Sequence, residues 1–405
     1  MAMNIIGYLK AKGIRRAFQV IYEYKINRVL KKIMVPLLKN KPLKNAIMIE
    51  SHNDFDCNGG AFYDYLIENG YNEKYKIVWV LKNKLDRPLP KNVTWVPCFG
   101  PSFRYVYYSC MCKYLLADNM ITTKVRPDQL SIFLDHGAFA LKSCKGLYTI
   151  PDEVDYILSP SEELDEYKIN DCSLENPTKR LIHTGVPSDD VYFKDIPDEY
   201  EKITDKKYKY RILWMPTFRK GGGFQRNDST AELPLGIPLV ETEEMLEELN
   251  DVLKANDALL VIKIHPMQDL STVEKLQGKS NIMVLNAHTV KEAGVDNYRL
   301  MKFSDALLSD YSSAAYSFLV LDRPLGFVLS DRNEYKLGMS VENVEDYLVG
   351  QQIFTYEDLT HFIRNLVEGK DEYHQKRLAL LEKMYTHHDG NSCQRLAEFM
   401  GLTKD

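Results

Sequence analysis

Asp305-Ala-Leu-Leu-Ser-Asp-Tyr-Ser-Ser-Ala-Ala-Tyr-Ser-Phe-Leu-Val-Leu-Asp-Arg-Pro324 opens on a short apolar run. A polar hinge, Ser309 to Ser313, separates it from a second run of small and apolar residues. The order predicts a buried strand, a tight turn and the first turns of a helix. Ser and Asp at such a hinge cap a helix, because their oxygens satisfy free first-turn amides. Those amides and the helix dipole would favour an anion beside Asp310, Ser312 and Ser313. The loop has no Lys, so it is not a P-loop. Capping alone, with no ligand, accounts for the same serines.

Outward from this stretch, apolar runs alternate with amphipathic ones along the chain. Such alternation predicts parallel sheets with helices on both faces. A length of 405 residues fits two domains. Hydrophobic residues at 45% and charged residues at 27% match a soluble globular protein. A net charge of -5 argues against a general nucleic-acid binder. The seven cysteines are scattered without metal-ligand spacing, so they read as reduced thiols and no metal is expected. No apolar run is long enough to span a bilayer, and no signal peptide is expected.

The N-terminal segment departs from the average. Arg15, Arg16, Arg28, Lys31, Lys32 and further lysines face Glu23 alone between Lys10 and Lys44. Apolar residues recur among them at three- and four-residue intervals. A basic amphipathic helix of this kind can lie on an anionic membrane. A helix packed on its own domain with a solvated basic face is the alternative.

Candidate chemistry sits at the ends of predicted strands. Ile132-Phe-Leu-Asp-His-Gly137 places His136 at the carboxyl edge of a sheet, where open α/β folds bind ligands. His136 would act as general base, Asp135 would orient it, and Gly137 would allow close approach. Lys142 follows within two turns. A polar stretch between Pro187 and Tyr210 predicts a linker. Beyond it, Thr217 and Arg219 follow the strand Ile212–Met215, and Arg219 suits a phosphate. The edge of the strand Leu259–Ile264 carries Lys263, His265 and Pro266.

Pro-Thr-Phe-Arg219, Lys-Ile-His-Pro266, Ser-Asp-Tyr-Ser-Ser313 ahead of Asp-Arg-Pro324, and Asp389-Gly-Asn-Ser392 occur in that order. With these motifs the chain resembles the teichoic acid glycerophosphotransferase family, which uses CDP-glycerol. The resemblance runs from about Ala46 to the tail. Around the histidine the family pattern Trp-His-Gly-Thr-Pro-Leu-Lys is altered to Asp135-His-Gly-Ala-Phe-Ala-Leu-Lys142, with one extra residue. That departure leaves the acceptor and the polyol open.

The resemblance implies a GT-B fold, two Rossmann-like domains facing across a cleft. The expected organisation is a basic amphipathic segment at 1–44, an acceptor domain at 45–195, a CDP-donor domain at 205–385 and a helix at 386–405 crossing back to the first domain. A polyol phosphate would pass from a CDP-polyol to a hydroxyl of a membrane-bound acceptor, releasing CMP. His136, Asp135 and His265 would be catalytic. Thr217, Arg219, His265, Pro266, Asp310, Ser312 and Ser313 would hold the donor, and Gly137 and Lys142 the acceptor. No cofactor beyond the CDP-polyol and no nucleic-acid partner is expected, and the enzyme would sit on the cytoplasmic face of the membrane. A nucleotide-sugar glycosyltransferase on the same fold, or a membrane-docked binding protein without catalysis, would share the general architecture.

Overall fold

The computed structural model describes residues 18–19, 21–174, 180–219, 227–265, 268, 270 and 273–404. Two all-parallel sheets organise them. The first is built from β1 (Lys44–Glu50), β2 (Lys76–Leu81), β3 (Val93–Pro97), β4 (Cys112–Ala117), β5 (Leu130–Phe133), β6 (Tyr156–Leu158) and β7 (Leu181–Ile182). Its spatial order is β3-β2-β1-β4-β5-β6-β7. The second holds β8 (Tyr210–Trp214), β9 (Ala258–Lys263), β10 (Ile282–Leu285), β11 (Ala306–Ser309), β12 (Leu325–Val328) and β13 (Gln351–Ile353). Its order is β10-β9-β8-β11-β12-β13.

Continuous apolar strands explain the parallel arrangement. From Ala46 to Glu50 every residue of β1 is buried, and so is β9 from Ala258 to Ile262. A strand covered on both faces needs no polar alternation. In each sheet the strand order reverses beside the first strand, between β1 and β4 and between β8 and β11. Loops leaving those strands diverge and open a crevice at the carboxyl edge.

Three elements differ from the sequence-based reading. β13 begins Gln351-Gln352, too polar and short to register as a strand, and adds the sheet's edge. A helix at Ala287–Ala293 is set by a capping box between Asn286 and Thr289. The stretch after Val186, expected as a linker, forms 3-10 turns at Pro187–Phe193 and Glu199–Lys202 that bury Tyr192 and Tyr200. The last helix, Ser392–Phe399, packs Cys393, Leu396 and Ala397 into the core of the first sheet. Asp190 accepts hydrogen bonds from Ser392 N at 2.9 Å and Cys393 N at 2.8 Å, which anchors that helix start.

At the other end a helix spans Ile26–Leu38. Asn27 ties it down, donating to Gly100 O at 2.7 Å and accepting from Ser102 N at 2.8 Å. Leu30, Met34, Val35 and Leu38 pack on the helix Phe103–Met111. Val29, Ile33 and Leu37 form a stripe on the exposed side. Arg28 and Lys32 are exposed beside it, while Lys31 is half-buried across the Tyr105 ring. Arg15 and Arg16 lie outside the described residues. No described helix is long and apolar enough to cross a membrane.

Candidate active site

The carboxyl edges of the two sheets meet around a cavity of ≈ 160 Å³. The first half contributes His52, Cys57, His136, Gly137 and Lys142; the second contributes Lys263, His265, Ser312 and Ser313. A larger crevice, ≈ 490 Å³, lies at the amino edge of the second sheet beside Pro324, Leu325 and Gln351, away from all of these groups.

His136 follows β5 through a backbone corner. Asp135 takes φ 56, a left-handed conformation that Asp tolerates better than most residues. Asn58 Nδ2 holds the corner, donating to Leu134 O at 3.1 Å and Asp135 O at 2.9 Å. The Asp135 carboxylate accepts from His136 N at 2.7 Å and from Lys168 Nζ at 2.5 Å. Burial pushes this carboxyl up, but the Lys168 ammonium and His136 outweigh burial and hold it below the usual carboxylate range. The His136 side chain remains 46% exposed, with Nδ1 3.2 Å from Asp118 O and 3.4 Å from Asp135 Oδ1. A proton on Nδ1 directed at these oxygens leaves Nε2 as the basic nitrogen.

Four more nitrogen groups converge here. His52 stacks on His136 with centroids 5.1 Å apart and planes 5° apart. Burial, with the neighbouring His136 and Lys263, pulls the His52 pKa down to about 3. Burial, with Lys142 and Lys263, pulls the His265 pKa down to about 2. Both rings are therefore neutral at physiological pH. Lys263 is also shifted below its ordinary value by burial. A cleft lined by Lys142, Lys263 and imidazoles suits an anionic ligand.

Ser312 and Ser313 line the cavity, but not as helix caps. The following helix has only five residues, Ala314–Phe318, and Ser313 caps it with no side-chain hydrogen bond. Ser312 Oγ accepts from Ala314 N at a long 3.4 Å. The hydroxyls, rather than a helix dipole, are what this hinge presents to the cleft. A Cβ on Gly137 would lie 2.5 Å from Ser313 Oγ, so only glycine fits where the two halves touch.

The structure corrects the donor-binding expectation for Arg219, Thr217 and Asp310. Arg219 is 1% exposed and fully engaged. Its Nε meets Asp331 Oδ2 at 2.6 Å and Nη2 meets Asp331 Oδ1 at 3.0 Å. Its Nη1 meets Asp310 Oδ2 and Thr217 O, both at 2.7 Å. Asp310 also accepts from Thr217 N and Oγ1, each at 3.0 Å. With Asp331 these three residues form a buried latch joining the loops after β8, β11 and β12. They hold the loops; no guanidinium edge is left for a phosphate. Pro266 lies outside the described residues.

His52, Lys168 and Asn297 were not singled out from sequence. His52 follows β1 at the strand-order reversal, a position that the sequence does not reveal. Lys168 lies on the helix Asp165–Asp171, where nothing in its spacing marks it. Asn297 lines the cavity, and its buried Oδ1 has no hydrogen-bond partner among the described residues. His52, Asp56 and Cys57 bring potential ligand atoms within 4.8 Å of one another. They fit an ion poorly. Both Asp56 oxygens already accept from Asn53, at 2.6 and 2.8 Å, and burial pushes the Cys57 thiol well up.

Residues 33–401 match the family model described as CDP-Glycerol:Poly(glycerophosphate) glycerophosphotransferase. A teichoic acid ribitol-phosphate primase of Bacillus spizizenii is 25% identical over 74% of this chain and 77% of its own length. A teichoic acid poly(glycerol phosphate) polymerase of the same species is 23% identical over 77% and 80%. Among solved structures, the wall teichoic acid polymerase TagF superposes with a TM-score of 0.71 at 18% identity, covering 99% of this chain and 98% of that one.

Proposed function

This chain belongs to the CDP-glycerol:poly(glycerophosphate) glycerophosphotransferase family, and from that premise we propose that it transfers a polyol phosphate from a CDP-polyol to a hydroxyl of a membrane-bound acceptor. The observation that carries the reading is the half-exposed His136 ring, set one residue from the Gly137–Ser313 contact across the cleft. The acceptor hydroxyl attacks the phosphorus bearing the polyol, and the bond from that phosphorus to the CMP oxygen breaks. His136 Nε2 takes the hydroxyl proton as general base. Lys168 supports the base indirectly by keeping Asp135 ionised and in place.

The growing charge on the departing CMP phosphate meets the hydroxyls of Ser312 and Ser313 and the Lys142 and Lys263 ammonium groups. Neutral His265 can donate one hydrogen bond to a phosphate oxygen. The donor carries its own leaving group, so the reaction requires no organic cofactor. Relatives are named for both ribitol phosphate and glycerol phosphate, so the assignment made here is the CDP-polyol class.

The exposed Val29–Ile33–Leu37 stripe beside Arg28 and Lys32 supports peripheral docking on an anionic bilayer. A nucleotide-activated donor supports a working cleft on the cytoplasmic side. The test is CMP release from CDP-glycerol and CDP-ribitol with a lipid-linked acceptor, run beside UDP-sugars. The His136→Ala enzyme should lose about 10²- to 10⁴-fold in turnover with its melting temperature kept. UDP release in place of CMP would move the chain to sugar transfer. Full activity without the imidazole would leave the family fold without this mechanism.

A further inference from the structure

The base and the phosphate-facing serines come from different halves of the chain, yet one short segment touches both. Residues 137–143 leave the first sheet directly after His136 and enter the second half. Lys142 N donates to Tyr311 O at 3.2 Å, and Ser143 N donates to Gly338 O at 3.2 Å. Ser340 returns two bonds, from N to Leu141 O at 2.7 Å and from Oγ to Ala140 O at 2.6 Å. Lys142 and Met339 thereby form an antiparallel bridge outside either main sheet.

Phe139 is the plug of this segment. It is 1% exposed and belongs to the same apolar cluster as Tyr311, Tyr316 and Leu325 of the second half. Its ring meets Tyr316 edge-on at 4.6 Å and stacks on Tyr347 at 4.8 Å. From the first half, Tyr167 contacts the same ring at 4.6 Å and accepts from Ala140 N at 3.2 Å. The next residue on that helix, Lys168, donates to Asp135. One helix therefore grips both the residue before His136 and the residues after it, while the second half grips the far side.

We propose that residues 137–143 act as a strap that sets His136 against Ser313, and that Phe139 is the positioning residue seating the strap. The inference rests on the phosphotransfer reading above and adds a physical reason for this chain's altered run after the histidine. A large ring at this point supplies an anchor spanning both halves, so a small displacement of the strap moves the base relative to the phosphate. Misplacement of about 1 Å costs on the order of 10²-fold in rate.

The experiment compares wild type, Phe139→Ala, Phe139→Leu and Ser340→Ala in CMP release from CDP-glycerol and CDP-ribitol with a lipid-linked acceptor. Amide hydrogen exchange across residues 136–143 is followed in parallel without substrate. Phe139→Ala should lower kcat about 100-fold, with KM for the donor within roughly threefold. Phe139→Leu should restore most of kcat, and Ser340→Ala should lose roughly tenfold in kcat alone. Exchange across 136–143 should rise in the same order. Unchanged kcat and unchanged exchange in Phe139→Ala would overturn the strap, as would equal losses in every variant with no rescue by leucine. Should Phe139→Ala fail to fold, Ser340→Ala decides by the same split. A wild type that releases CMP from no CDP donor sinks the phosphotransfer reading instead, while the exchange pattern still judges the strap.

Discussion

The loop after β5 and the loop after β8 each carry a basic side chain just past a buried strand. In sequence His136 and Arg219 are equivalent in kind: a cationic or basic group at a carboxyl edge. In the structure they are opposites. The His136 side chain is 46% exposed in the cleft, whereas Arg219 is 1% exposed with Asp310 and Asp331 on either side. A basic group neutralised by its own chain holds architecture; one left facing a cavity can meet a ligand. Counting internal partners separates the two, and sequence does not reveal that count.

The sharpest break of this contrast is Arg219→Met. Removing the guanidinium strands two buried carboxylates, and such a loss costs about 3–5 kcal/mol. Urea denaturation should show that loss. A variant as stable as wild type, with activity alone impaired, would return Arg219 to the donor site. A smaller effect is expected at the cleft. Ser312→Ala with Ser313→Ala removes one hydroxyl that makes no cap bond and one that makes only the long bond from Ala314 N. Stability should hold within about 0.5 kcal/mol, because the bond lost from Ala314 N is long and weak. Turnover should fall about 10²-fold, the scale of a lost transition-state donor. Equal destabilisation would make the serines structural.

The smallest effect separates the two regions by pH. His52 and His265 titrate in the folded chain at about 3 and about 2, against 6.5 when unperturbed. Between those values the unfolded chain binds protons that the folded chain refuses. Their contribution is complete above pH 6.5 and is lost progressively as pH falls toward 3. Melting temperatures from pH 7 to 4 should therefore decline less steeply in His52→Asn with His265→Asn than in wild type. Parallel slopes would show that these imidazoles are solvated. The latch is common to both proteins and cancels from this difference.

The alternation of apolar strands with amphipathic helices, the break into two halves and the positions of His136, His265, Ser312 and Ser313 were legible along the chain. Local periodicity and turn chemistry act over a few residues, so one dimension carries them. His52 and Lys168 were illegible because their role depends on strand order. β4 alone separates β1 from β5, which brings His52 to His136 across 84 residues of chain. Likewise, Thr217 and Arg219 belong to one sequence motif and Asp310 to another, and only packing shows that they satisfy one another. Sequence determined which groups reach the carboxyl edges; tertiary structure decided which of them remain open to a ligand, because burial and charge pairing are set by neighbours distant along the chain.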